Sequence, residues 1–191
     1  MRKVISFMHI SLDGFTATTK NEMNWIHVDD EIFDYAGDRT NVADTAVYGR
    51  VTWEMMDAYW PTAADQPGAG KHEREHSAWY KRVEKIVLSD TLKDAKKDKT
   101  RFFGSGDVVE NIKALKQQPG GEIVLFGSPG AVHSLMEHQL IDEFWLFVNP
   151  ILLGDGNPMF KGITEKVKLK LITSKAFSSG VVCLHYERIT N

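Results

Sequence analysis

The sequence predicts an α/β fold with a mainly parallel central sheet and an antiparallel C-terminal hairpin. Three observations predict it. Strand-like and helix-like segments alternate over the first two-thirds of the chain, and parallel neighbours need helical crossovers. The last third is strand-rich and ends in two long runs joined by Ser178-Ser179-Gly180. The chain has 191 residues, 42% of them hydrophobic and 26% charged, which suits one compact domain over 1–191.

Val4 to Ile10 is β-rich and closed by Asp13-Gly14. Ile32, Phe33 and Ala36 recur at helical spacing, so Asp29 to Asp38 should be a helix. Thr45 to Tyr48 is a short buried strand running into Gly49, and Val51 to Tyr59 reads as helix. Pro61 to Gly70 carries two prolines and two glycines and is expected to be an exposed loop. Lys71 to Arg82 is a charged helix, and Lys85 to Leu88 is a strand.

Arg101 to Phe103 is a short strand before Gly104-Ser105-Gly106. Val108, Val109, Ile112 and Leu115 form a helical stripe that stops before Pro119-Gly120-Gly121. Glu122 to Phe126 is a strand, followed by Gly127-Ser128-Pro129-Gly130 and a helix through Val132, Leu135 and Met136. Asp142 to Val148 is a strand, Pro150 to Phe160 is loop, and Val167 to Phe177 and Val181 to Ile189 make the hairpin.

The formal net charge of −3 gives no global attraction for phosphate backbones, so nucleic acid is not an expected partner. No run approaches the ~20 apolar residues of a membrane span, and the N-terminal apolar stretch is too short for a signal peptide. The single cysteine, Cys183, lies in an apolar run and reads as a core residue. A reducing cytoplasm fits these features.

Ligands of open parallel sheets sit at the carboxyl ends of the strands. Three such ends carry glycine or a small hydroxyl: Gly49-Arg50-Val51-Thr52, Ser89-Asp90-Thr91 and Gly127-Ser128-Pro129-Gly130-Ala131. Small residues let backbone amides approach a phosphate at the start of the next helix. Arg50 can add a charge-assisted bond and Thr52 a hydroxyl. Tight turns alone would use the same residues. Neither Gly-x-Gly-x-x-Gly nor a P-loop is present, which argues against a Rossmann dehydrogenase or a P-loop kinase.

Ser11-Leu12-Asp13-Gly14-Phe15, Tyr48-Gly49-Arg50-Val51-Thr52-Trp53-Glu54 and Ile86-Val87-Leu88-Ser89 resemble the dihydrofolate reductase superfamily. More narrowly, Phe126-Gly127-Ser128-Pro129-Gly130, Leu140-Ile141-Asp142-Glu143 and the block Asn149 to Phe160 are similar to the riboflavin-biosynthesis reductase (RibD) C-terminal domain family. The resemblance implies a three-layer α/β/α, dihydrofolate-reductase-like fold. It implies an NADPH-dependent reductase resembling 5-amino-6-(5-phosphoribosylamino)uracil reductase of riboflavin biosynthesis. The long C-terminal strands and Phe144-Trp145-Leu146-Phe147 could supply a homodimer interface, toward which the resemblance leans, and purely internal packing explains that segment equally well.

By the same resemblance Gly49, Arg50 and Thr52 match the turn that holds pyrophosphate and ribose phosphate, and Ser89 the adenosine-side turn. Gly127, Ser128, Gly130 and Ala131 match the glycine-rich turn, and Leu153, Gly154 and Gly156 would close over the site. Together these corners are expected to grip one dinucleotide. Asp90 departs from the arginine often found at its position, so NADH stands beside NADPH as cofactor. The deaminase module of bifunctional riboflavin enzymes does not occur in the sequence, which leaves the substrate open.

The expected chemistry is hydride transfer to a C=N or C=O of a small pyrimidine- or pterin-like substrate. Asp13 is the first candidate for proton donor, with Asp30 and Asp34 next. Asp13 before Gly14 could equally serve the turn. Trp25, Trp53 and Trp60 could stack on a flat substrate, or simply pack. A non-catalytic nucleotide or pterin binder is the alternative. A zinc hydrolase is a third reading, because His72-Glu73-Arg74-Glu75-His76 places two histidines at i and i+4 with Glu73 as base. The segment is almost wholly polar and lacks an evident third ligand, so no metal site is expected.

Overall fold

The computed structural model describes residues 1–189. In chain order the elements are β1 (Val4–Ser11), β2 (Phe15–Ala17), α1 (Asp30–Val42), β3 (Ala43–Gly49), α2 (Arg50–Ala63), α3 (Lys71–Arg82), β4 (Glu84–Leu88) and β5 (Thr100–Phe103). They continue as α4 (Val108–Gln117), β6 (Glu122–Phe126), α5 (Pro129–Glu137), β7 (Glu143–Asn149), β8 (Asn157–Pro158), β9 (Leu169–Ala176) and β10 (Val182–Arg188). The central sheet is mostly parallel and carries an antiparallel hairpin, as the sequence predicts. Chain contacts divide the molecule into two compact units. One comprises Met1–Arg2 and Val28–Val124, the other Lys3–His27 and the chain from Leu125 onward.

In the first unit β3, β4 and β5 pair in parallel, with Gly49 opposite Leu88 and Leu88 opposite Phe103. The three strand ends therefore fall side by side. Ala46, Val47, Ile86, Val87, Ile112 and Ile123 form the core. Asp29 caps α1 by accepting from the Ile32 amide at 2.9 Å. In α3 the Glu73 carboxylate accepts from the Gly70 amide at 2.8 Å, a capping box. At the other end of α3, the buried Lys85 ammonium donates to Tyr80 and Val83 carbonyls at 2.9 Å each. Buried Arg2 ties strand to turn, donating to the Gly121 carbonyl and the Thr45 hydroxyl at 2.7 Å each and pairing with Asp44.

The loop expected over Pro61–Gly70 begins later, because α2 continues through Pro61 to Ala63. The missing proline N–H removes one helical bond. So close to the helix end, little is left of the helix for it to break.

In the second unit β1 and β7 are parallel, from Ile5 opposite Glu143 to Ser11 opposite Asn149. β10 runs antiparallel to β7, and β9 to β10. The hairpin turns on Gly180 at φ +86°, and the Phe177 amide donates to the Val181 carbonyl at 2.9 Å. Phe144, Trp145, Leu146 and Phe147 are all core, exposed by 6% or less, so this segment cannot supply the dimer interface the sequence suggested for it. β9 is exposed along nearly its whole length. Cys183 is buried, as expected, and burial pushes its thiol up to about 12.

Two short strands within expected loops, β2 and β8, pair antiparallel. At Gly156, φ +153°, an added Cβ would lie 2.2 Å from the Ala17 carbonyl oxygen, so only glycine fits this crossing.

Candidate functional site

The first unit brings Gly49, Arg50, Thr52 and Ser89 to one end of its sheet. Gly49 is the N-cap of α2, and that helix start has no side-chain cap. Its first-turn amides are therefore open to an anion, aided by the helix dipole. Arg50 is exposed and pairs with Glu54 one turn on, at 2.9 and 3.0 Å. Thr52 occupies the third helical position and is half-buried.

On the neighbouring strand end the Ser89 amide donates to the Phe103 carbonyl at 2.8 Å. The Ser89 hydroxyl lies 3.1 Å from that of Thr91 and accepts from the Leu92 amide at 3.2 Å. Asp90 turns toward the next loop, where its carboxylate accepts from the Ser105 amide at 2.7 Å. That bond, with help from Lys93, holds Asp90 below the usual carboxylate range.

The second unit groups Asp13 with Leu153 and Gly154. Its carboxylate accepts from the Ser11 hydroxyl at 2.6 Å, the Leu153 amide at 3.1 Å and the Gly154 amide at 2.7 Å. The Ser11 bond first, and then the Gly154 amide, keep the exposed Asp13 ionised below the ordinary carboxylate pKa. Asp13 is thus an acceptor that fixes a loop, and its geometry does not suit a proton donor. The Leu12 amide donates to Ile151 at 2.8 Å, and the Met159 amide to Gly14 at 2.8 Å, extending the same seam.

After β6, Gly127 at φ +54° and Ser128 at φ +57° make two consecutive left-handed residues. Pro129 then opens α5, again without a side-chain cap. The Gly127 amide donates to the Phe7 carbonyl at 3.3 Å. Gly130 is exposed with open space where a Cβ would stand, and Ala131 is buried.

The remaining candidates scatter. Asp30 and Asp34 are exposed on α1, and Asp34 pairs with Lys71 at 2.7 Å. The Trp25 indole donates to the Glu22 carbonyl at 3.2 Å. Trp53 meets Phe102 edge-on at 5.3 Å, with the Lys97 ammonium 5.4 Å from its ring centre. Trp60 is packed against Tyr59, His72 and His76, at ring distances of 4.9, 5.4 and 4.1 Å. That gives Trp60 a structural role among the helices.

The His-Glu-x-x-His pentapeptide forms the predicted helix, but its histidines enter the same aromatic cluster. His72 stacks on Phe33 at 3.4 Å, and burial pushes His76 down to about 3. Glu73 is engaged by its cap. Among the described residues no three His, Cys, Asp or Glu side chains gather to hold a metal.

Sequence reasoning missed Ser11 and Asn149 as organisers. Buried Asn149 donates to the Ile10 and Phe147 carbonyls at 3.3 and 3.1 Å and accepts from the His27 amide at 2.8 Å. Its place at the head of the Asn-Pro block, directly after a strand, was the available signal.

The fold is that of a dihydrofolate-reductase-like α/β protein. The structure superposes on dihydrofolate reductase from Enterococcus faecalis in complex with NADP(H) with a TM-score of 0.63 and 16% identity, covering 98% of this chain and 97% of that one. It superposes on a Thermotoga maritima diaminohydroxyphosphoribosylaminopyrimidine deaminase/5-amino-6-(5-phosphoribosylamino)uracil reductase with a TM-score of 0.68 and 14% identity, covering 98% of this chain and 57% of that one. In sequence the chain is 29% identical over 187 residues to the uncharacterized protein YyaP of Bacillus subtilis strain 168, covering 97% of this chain and 94% of the relative.

Residues 2–183 match the RibD C-terminal domain, and the chain belongs to that family. Family and fold support a reductase-like role. No helix among the described residues is long and apolar enough to cross a membrane.

Proposed function

We propose that this protein is an NADPH-dependent reductase of a small pyrimidine- or pterin-like molecule, with residues 1–191 acting as a single RibD C-terminal-type domain in the cytoplasm. One observation carries the reading: in the first unit an uncapped helix start with Gly49, Arg50 and Thr52 stands beside the hydroxyls of Ser89 and Thr91. Amides, a guanidinium and hydroxyls are the donor set that phosphates and ribose need. Gly127, Ser128, Gly130 and Ala131 offer a similar uncapped helix start in the second unit.

Such a cofactor supplies the hydride for a polarised C=N or C=O carbon. Asp13 positions the segment carrying Leu153, Gly154 and Gly156 through charge-assisted bonds to its amides. Asp30 and Asp34 remain the carboxylates proposed to deliver the proton. Asp30 ranks first because Asp34 is ion-paired with Lys71. Trp25 and Trp53 are the proposed stacking surfaces.

Asp90 raised NADH as a rival cofactor. Its carboxylate accepts from the Ser105 amide and stays ionised, so it keeps NADH as the rival, and the NADPH reading rests on the donor set at Gly49, Arg50, Thr52 and Ser89. Parallel thermal-shift titrations with NADPH and NADH test the reading. A ligand at a hundred times its Kd adds about 2.7 kcal/mol of stability, and NADPH is expected to give the larger shift. A larger NADH shift would overturn the cofactor choice. No shift with either would overturn the reductase. Binding without NADPH oxidation across a pyrimidine and pterin panel would favour a non-catalytic binder.

A homodimer is proposed through β9, whose free edge carries Leu171 and Ile172 at 48% and 41% exposure. A second copy pairing along this edge would bury both.

A further inference from the structure

The second unit contains a cavity of about 480 Å³ that the proposed cofactor groups do not use. Met136, Ile141, Phe144, Val167 and Ile189 give it an apolar lining, and Lys166, Lys168 and Arg188 set three cations against Glu165 in the lining and Asp142 beside Arg188. Its volume falls within the range of small-molecule sites, roughly 300–1,000 Å³.

The cavity stands at the opposite pole of this unit from Asp13 and Gly127. Phe144 is near the start of β7, and Arg188 ends β10, which is antiparallel to it. Ser11 and Asn149 mark the other ends of β1 and β7. A seven-residue strand separates the two poles by roughly 20 Å.

Arg188 is held in place. Its Nε donates to the Ile141 carbonyl and one terminal nitrogen to the Gln139 side chain, both at 3.0 Å. Asp142 stands 4.0 Å from the other terminal nitrogen, beyond hydrogen-bond reach. Two of the guanidinium's five N–H groups are thus engaged, and its side chain is only 15% exposed. A half-buried, pre-oriented fork above an apolar floor is complementary to one ligand chemistry: a flat or short-chain apolar body bearing a carboxylate, sulfonate or phosphate.

The geometry points to a second small-molecule site here, for an amphipathic anion, at the pole of this unit away from Asp13 and Gly127. Lys166 and Lys168 attract the charged end, Arg188 orients it, and Met136, Val167 and Ile189 receive the apolar body over the buried Ile141 and Phe144. The site does not depend on the reductase reading.

Anilinonaphthalene sulfonate, an aromatic sulfonate, is the probe. Titrated into the full chain, it should bind saturably at one site per chain, weaken as ionic strength rises, and persist in saturating NADPH. The double variant Lys166→Glu/Lys168→Glu alters only exposed side chains and should keep its Tm while weakening the probe at least about tenfold. Val167→Asp should weaken it independently. Displacement of the probe by NADPH, or unchanged affinity in both variants, would overturn the proposal. So would absent probe binding with a Lys166→Glu/Lys168→Glu mass that falls to the monomer in light scattering, which would assign this face to a second copy.

Discussion

Asp13 accepts three hydrogen bonds while fully exposed, and two of them come from main-chain amides about 140 residues away. Asp13→Asn keeps the shape but removes the ionised acceptor, so kcat/KM should fall about tenfold or more while Tm barely moves. Steady-state assays beside thermal unfolding would check this. The sign of the pH effect follows from the lowered pKa. The tie is fully present above pH 3.8, the ordinary value, and is lost as pH falls through the lower folded value.

Ser128 makes a second residue-scale case. A non-glycine residue at φ +57° is strained, so Ser128→Gly should raise Tm by about 1–3 °C. If its hydroxyl meets a phosphate, NADPH affinity should fall in the same protein. Parallel unfolding and binding titrations would measure both.

At the scale of elements, β2 and β8 depend on one close approach. Gly156→Ala forces a Cβ into the Ala17 carbonyl and should destabilise the protein by about 1–3 kcal/mol, measurable by urea unfolding. These two strands were illegible in the sequence, because three- and two-residue segments carry no periodicity to read. The helices were legible where an apolar stripe met a stop signal, as in α4, whose stripe from Val108 to Leu115 ends before Pro119. Pro61 misplaced one boundary, since a proline signals a break without saying how many residues of helix survive it. The amide ties of Asp13 were not legible, because an acceptor of distant amides and a proton donor look alike in one dimension. Ser11 and Asn149 were read only as members of their blocks, because a side chain that bonds distant main chain leaves no spacing pattern of its own.

For the whole molecule, two half-buried, desolvated histidines shape the acid response. Burial pushes His9 down to about 4 and His76 to about 3, from an ordinary 6.5. Below pH 6.5 the unfolded chain therefore takes up protons that the fold excludes. Stability should be full above pH 6.5 and decline from there to about pH 4, by up to about 1.4 kcal/mol per pH unit for each such histidine. Urea midpoints across that range would show it, and His9→Phe should flatten the slope. Light scattering tests assembly: Leu171→Asp, on the exposed β9 edge, should convert a dimer to monomers without loss of Tm.

The seam between 12–17 and 151–159 joins the chain's beginning to a stretch close to its end. Contacts of such sequence separation incur their loop-closure entropy before they return any stabilisation. The Asp13 loop therefore cannot mature on a nascent chain until most of the polypeptide has left the ribosome. It should be among the last parts to lock, and amides on both sides of the seam should exchange with deuterium together.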